Sequence, residues 1–520
     1  MNTISRSHSL VSMDIDVQAT IDPCPICLLD FHGRDVAPTV VTTRCSHHFD
    51  LGCIAKAFIS QPVGSRQCAM CRQNPMPLVN VDTNKSYPDE FFPDQVFFDA
   101  CLYNELETVK HLVNKGVDIN AHMDDGFTAL MLASQQGHMA IALLLIDKGA
   151  DVNAARSNAI ELNGFNALMS ASQEGHRAIV ELLIDKGAHV NAVTDNGFTA
   201  LMLACQQGHT TVAELLIDKS ANINARNCIG FTALMSASRQ GHIAVAELLI
   251  NKGADINAVM ANGSTALMSA CQPGHKAVAE LLINRGADVN ACRSNAGNTD
   301  GFTALMLASW LGHKAVVGLL IDKDANINAK NCHGFTALAL ASKKGYKAVA
   351  ELLIDKGADL NARNCHGFTA LMSVCQEGHT SVAELLIIKG SDVNATLDDG
   401  FTALMLACQQ GHQAVAELLI DRGAHVNAVM NHGFTALMSA AQEGHESVAE
   451  LLIERGANVN AVTDNGSTAL MRAAWQGHET VVKLLIDKGA KDKDGNALLL
   501  AIQNRHRVII QLLIKARANQ

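Results

Sequence analysis

The sequence predicts a multidomain chain: a small metal-bound α+β module at the N-terminus, then a long all-α repeat solenoid. Three observations carry this. Six of the fifteen cysteines fall between residues 24 and 71, at close and regular spacing. Eight of the nine prolines lie at or before Pro93, with Pro273 the exception. Beyond Pro93 a single block of sequence recurs to the end of the chain, which is the mark of stacked supersecondary units.

The repeat block reads N-G-F-T-A-L-M-x-A-x-x-x-G-H-x-x-V-x-E-L-L-I-D-K-G-A-x-V-N-A. Its central glycine stands at Gly126, Gly164, Gly197, Gly230, Gly263, Gly301, Gly334, Gly367, Gly400, Gly433 and Gly466. Eight steps between these glycines are 33 residues, and the two ending at Gly164 and Gly301 are 38. In the unit at Gly197, Thr199 is placed to cap a first short helix, Ala200 to Gln207, through its side-chain oxygen. Gly208 suits the left-handed residue that closes that helix. A second helix is expected from Thr211 to Lys219, with Val212, Leu215 and Leu216 on one face. Neither helix is long enough to be stable alone, so the units must stack to bury a common core.

The period and motif resemble the ankyrin repeat, with T-A-L-M (Thr199 to Met202) where that family usually has T-P-L-H. Eleven clear units are expected between degenerate caps, Val96 to Asn120 at the start and Asp494 to Ala518 at the end.

The cysteine-rich head reads Cys24-Pro25-Ile26-Cys27, then Cys45-Ser46-His47-His48-Phe49-Asp50-Leu51-Gly52-Cys53, then Cys68-Ala69-Met70-Cys71. Zinc takes four tetrahedral ligands from thiolates and imidazoles, and a two-residue gap lets one turn present two sulfurs to one ion. The order Cys, Cys, Cys, His, X, Cys, Cys, Cys resembles a RING finger over roughly residues 21–75. That resemblance implies a zinc-bound α+β RING-like module with two structural Zn2+ ions in a cross-brace. One ion would take Cys24, Cys27, position 50 and Cys53. The other would take Cys45, His47, Cys68 and Cys71. Asp50 stands where His or Cys is usual, and His48 is the alternative fourth ligand of the first site.

In RING-type E3 ubiquitin ligases a hydrophobic residue between the first two ligands helps hold the E2 ubiquitin-conjugating enzyme, and Ile26 matches it. An arginine after the last ligand contacts E2 and ubiquitin, and Arg72 matches that. Ala69 stands where the family often has Pro, and Ala57 and Phe58 where a Trp is common. The resemblance therefore implies a RING-type E3 ubiquitin transferase whose repeats recruit a protein substrate, with no nucleophile of its own. The alternative is a non-enzymatic ankyrin scaffold carrying a degenerate structural zinc finger.

The expected domains are a disordered N-terminus (1–20), the RING-like finger (21–76), a linker (77–93) and the solenoid (94–520). A net charge of −11 argues against a nucleic-acid footprint. No apolar run approaches the ~20 residues of a membrane span, and the first residues lack a signal-peptide core. A cytoplasmic setting, with the nucleus as a further possibility, is the expectation.

Within the repeats, the recurring histidine of the G-H step (His138, His176, His209 and their equivalents) reads as structural, because it occupies one inter-helix turn. Cys205, Cys271, Cys375 and Cys408 share a position that Ser134 and Ala441 fill elsewhere, so a small buried residue is wanted there. Phe follows the central glycine in nine units, including Phe198 and Phe335, while Ser264 and Ser467 break the row. Trp310 and Trp475 share a nearby position otherwise held by residues such as Gln135 and Gln206. These aromatic residues are the candidate partner-binding side chains; the alternative for the Phe row is that duplicated units inherited it and neighbouring rings cover one another.

Overall fold

The computed structural model describes residues 40–44, 46–59, 61, 66–70, 72–92, 95–123, 125–156, 163–293 and 300–518. The expected disordered stretch, 1–20, lies outside the described residues. The chain forms two compact units, Met1–Asn222 and Ile223–Gln520.

The first unit begins with an antiparallel sheet of four short strands: β1 (Val40–Thr42), β2 (His48–Asp50), β3 (Leu78–Asn80) and β4 (Ser86–Tyr87). Their order is β2-β1-β3-β4. Helix α1 (Leu51–Ile59) leaves β2 directly. Val41, Phe49, Ile54, Phe58, Leu78 and Phe92 form one core between sheet and helix.

Of residues 77–93, expected as a linker, the described part, 77–92, therefore packs as part of the head. Leu78, Tyr87 and Phe92 are buried in its core. Arg66 fastens this segment. Its side chain is fully buried, pairs with Asp89 Oδ1 at 3.0 Å and stands 5.3 Å from the Phe58 ring centroid. It also donates to the carbonyls of Asp89 and Phe92. A buried cation is tolerable only when its donors are satisfied in this way.

Asp118 N donates to Phe91 O at 2.7 Å, joining the head to the first helix pair, α2 (Gln95–Leu102) and α3 (Leu106–Asn114). Phe97, Phe98, Cys101, Val109 and Val113 are the buried side chains of that pair. Three further pairs complete this unit, with first helices Ala129–Gln135, Ala167–Glu174 and Ala200–Gln207. Nine pairs make up the described part of the second unit, ending at Asn496–Gln503 and Arg507–Ala518.

The pair at 200–218 shows why the block folds as it does. Thr199 Oγ1 accepts from Met202 N at 3.2 Å, capping the first helix. Gly208 closes it with φ +84°. The second helix runs Thr210–Asp218, one residue earlier at each end than the expected span, and Val212, Leu215 and Leu216 are buried. Its cap is the backbone of His209, whose ring is committed elsewhere: Nε2 bonds the Gln173 carbonyl of the preceding pair at 2.9 Å.

Asparagines form a second ladder between pairs. Asn153 Nδ2 donates to Gly187 O at 3.0 Å, and Asn153 Oδ1 accepts from His189 N at 2.9 Å. One side chain thus satisfies a helix-end carbonyl and a turn amide that would otherwise be orphaned.

Candidate functional site

In the head, β1 and β2 are joined by the turn at 43–47. His47 O accepts from Thr43 N at 2.9 Å, and Thr43 Oγ1 accepts from His47 N at 3.0 Å. A second turn follows Cys68: Arg72 N donates to Cys68 O, and Cys68 N to Gln73 O, both at 2.8 Å. Arg44 N donates to Pro75 O at 2.9 Å, tying the two turns together.

Between them, His47 Nδ1 lies 3.5 Å from Cys68 Sγ. These residues were expected to share one ion. Zn–S and Zn–N bonds of roughly 2.3 and 2.0–2.1 Å at a tetrahedral angle separate sulfur and nitrogen by about 3.5–3.6 Å. The pair therefore fits one edge of such a site.

Cys24, Ile26, Cys27, Cys45 and Cys71 lie outside the described residues. Asp50 ends β2 and Cys53 lies in α1, while the placement of their side chains is outside the description. Accordingly, no group of three or more candidate ligands converges among the described residues. Arg72 is exposed and adopts φ +59°.

In the repeats, the histidines of the G-H step bond a carbonyl of the preceding pair, as in His176 Nε2 to Gln135 O and His445 Nε2 to Gln409 O. This is a structural ladder. Cys205, Cys271, Cys375 and Cys408 are buried, and burial pushes each thiol up.

The Phe row is half-buried rather than open, except for Phe165, which is buried. Phe198 and Phe335 brace their fingers through the backbone: Phe198 N donates to Thr194 Oγ1 at 3.0 Å and Phe335 N to Asn331 Oδ1 at 2.8 Å. The Arg156 guanidinium lies 4.3 Å from the Phe127 centroid. The two tryptophans differ. Trp310 is half-buried, with Lys344 Nζ 4.2 Å from its ring, whereas Trp475 is 55% exposed.

A feature the sequence reading missed sits on the fingers. Val193, Val259, Val429 and Val462 are all exposed, and each stands four residues before the central glycine of its block. The signal was present as a recurring apolar residue in an otherwise polar turn.

The description "Ankyrin repeats (3 copies)" fits nine overlapping segments, which together run from residue 78 to residue 520. Ankyrin repeat domain-containing protein 39 of Homo sapiens is 32% identical over 91 residues, 17% of this chain. The chain spans 48% of that protein, about half its length. Among the described residues no helix is long and apolar enough to cross a membrane.

Proposed function

The chain belongs to the ankyrin-repeat family, and on that premise we propose that it is a protein-docking scaffold. The repeats of each unit present a row of fingers to a protein partner, and a zinc-held head precedes the repeats in the sequence. The observation that carries the reading is the recurrence of exposed valine on the fingers, at Val193, Val259, Val429 and Val462. Apolar side chains repeated on an exposed edge lose contact with water only when something covers them.

The head has a supporting role in this account. His47 and Cys68 hold one zinc ion with Cys45 and Cys71, and Cys24, Cys27, Cys53 and Asp50 or His48 hold the other. Zinc, when bound, supplies a structural cross-link between turns too short to hold themselves together. Support comes from the 3.5 Å His47–Cys68 approach and the hydrogen bond between the two turns.

A photo-crosslinking residue placed at Val193 or Val259 of the full chain tests the docking reading. Discrete protein adducts should form in cell extract from these positions and not from Glu214, an exposed residue on a second helix. Equal adducts from all three positions, or none, would contradict it.

A second reading is favoured by the exposure of Arg72 directly after the Cys68 turn. There the chain is a RING-type E3 ubiquitin ligase, with Ile26 and Arg72 engaging an E2–ubiquitin conjugate. The repeats would raise the local concentration of substrate lysines. Asp50, Ala69 and the missing Trp weigh toward the scaffold.

A further inference from the structure

Two clefts on the repeats differ in how their arginines are satisfied. Beside Ser264 the cleft is about 140 Å3. There Arg293 Nε donates to Ser264 Oγ at 2.9 Å, and Nη1 pairs with Asp300 at 3.3 Å. A second cleft is larger, about 360 Å3, and is walled by Phe401, Met430 and Phe434 with Arg472 at one side.

Arg472 departs from the repeat. Ten other clear units hold Ser or Leu at this position, as at Ser439 and Leu406. Its guanidinium stands 5.3 Å from the Phe434 centroid, and Nη1 makes one long bond, 3.4 Å, to Gln442 Oε1. Its Nε is buried and has no hydrogen-bond partner among the described residues. Elsewhere in the same unit a guanidinium is well matched: Arg455 reaches both Glu417 and Asp421. The one acidic residue lining the cleft, Asp464, faces His432 Nδ1 at 3.3 Å. Three residues along the helix from Arg472, Trp475 is exposed, so both side chains lie on one face of that helix.

We propose that this cleft binds a linear segment of a partner protein in which an apolar side chain neighbours an aspartate or glutamate. The apolar group fills the space between Phe401, Met430 and Phe434. The carboxylate accepts from Arg472, whose half-buried charge otherwise lacks a counter-ion among the described residues. A partly desolvated guanidinium strengthens such a bond, and its planar fork favours a carboxylate geometrically. The proposal rests on the docking reading above and specifies one partner chemistry for it.

The test is selection of a random peptide library displayed on phage against the full chain, followed by binding of the selected peptides to three variants. Arg472→Ser and Phe434→Ser each install a residue the array already uses at the equivalent position, so the fold should persist, and circular dichroism checks it. Glu214→Gln alters an exposed residue on a second helix in the other compact unit. Selected peptides should share an acid beside an apolar residue. They should lose about tenfold or more in affinity with Arg472→Ser, which removes a bond to a charged group, and with Phe434→Ser, which removes an apolar wall, and be unaffected by Glu214→Gln. Peptides without an acid, or affinities unchanged in both cleft variants, would overturn the proposal. If the cleft variants bind unchanged while crosslinking at Val193 still yields discrete adducts, the docking reading stands and this cleft is not its site. A library that yields no binder counts against both.

Discussion

His47 Nδ1 and Cys68 Sγ meet at 3.5 Å although 21 residues separate them in sequence. On the proposed reading, one zinc ion would be shared by this imidazole and thiol, whose spacing fits one edge of a tetrahedral site. The full chain should therefore bind about two zinc ions, and Cys68→Ser or His47→Ala should reduce the number by one, read by metal analysis of purified protein. Chelation should abolish amide protection in β1 and β2 while leaving the helical signal of the repeats. Structural zinc is worth roughly 10–16 kcal/mol to small modules, far more than the short strands supply alone.

The Arg66–Asp89 clamp predicts that residues 78–92 depend on one buried cation. Arg66→Met removes the cation from the pair and should destabilise the head by about 3–5 kcal/mol, the usual effect of breaking a buried pair. Hydrogen exchange should show protection lost at Leu78–Asn80 and retained at Ala200–Gln207.

The histidine ladder predicts a graded response at two glycines. A Cβ on Gly175 would come within 2.5 Å of His209 Nδ1, whereas one on Gly187 would meet nothing within 4 Å. Both have φ near +90°, so alanine at either costs roughly 1–2 kcal/mol of backbone strain. Gly175→Ala should add about 1–3 kcal/mol from the collision. Comparative denaturation of the two variants checks the order.

Buried thiols predict how stability changes in alkali. Burial pushes Cys101 and Cys271 from the ordinary 9.0 up to about 12, and Cys205, Cys375 and Cys408 higher still. In the unfolded chain these thiols ionise near 9.0, so above that pH the unfolded state releases protons that the folded state keeps. Their contribution to stability is complete below about pH 9 and is lost as pH rises toward 12. Native-state alkylation at pH 9 should modify exposed Cys228, Cys292, Cys332 and Cys365 and spare the buried five.

Much of this fold was legible because it repeats. The Thr199 cap, the left-handed Gly208 and the buried stripe of Val212, Leu215 and Leu216 all follow from local chemistry printed eleven times. The head was harder. Its third and fourth strands are three and two residues long, and Leu78, Tyr87 and Phe92 are scattered among Thr, Asn, Lys, Ser and Pro. That composition reads as a linker unless the partner of Arg66 is known. The exposure of the aromatic positions was not legible for another reason. Trp310 and Trp475 are equivalent in sequence, but Lys344 covers one ring and the other is left open. Only the neighbouring unit decides which, so position within a repeat does not fix exposure. Arg472 was overlooked because its significance lies in what fails to pair with it.

The most direct test of the scaffold reading is ubiquitin transfer by this chain, zinc-loaded, with E1, ubiquitin and a panel of E2 enzymes. The account predicts no chains above the E2-only background, from native protein and from Arg72→Ala alike. Chains that form with native protein and fade with Arg72→Ala and Ile26→Ala would contradict it and establish the ligase.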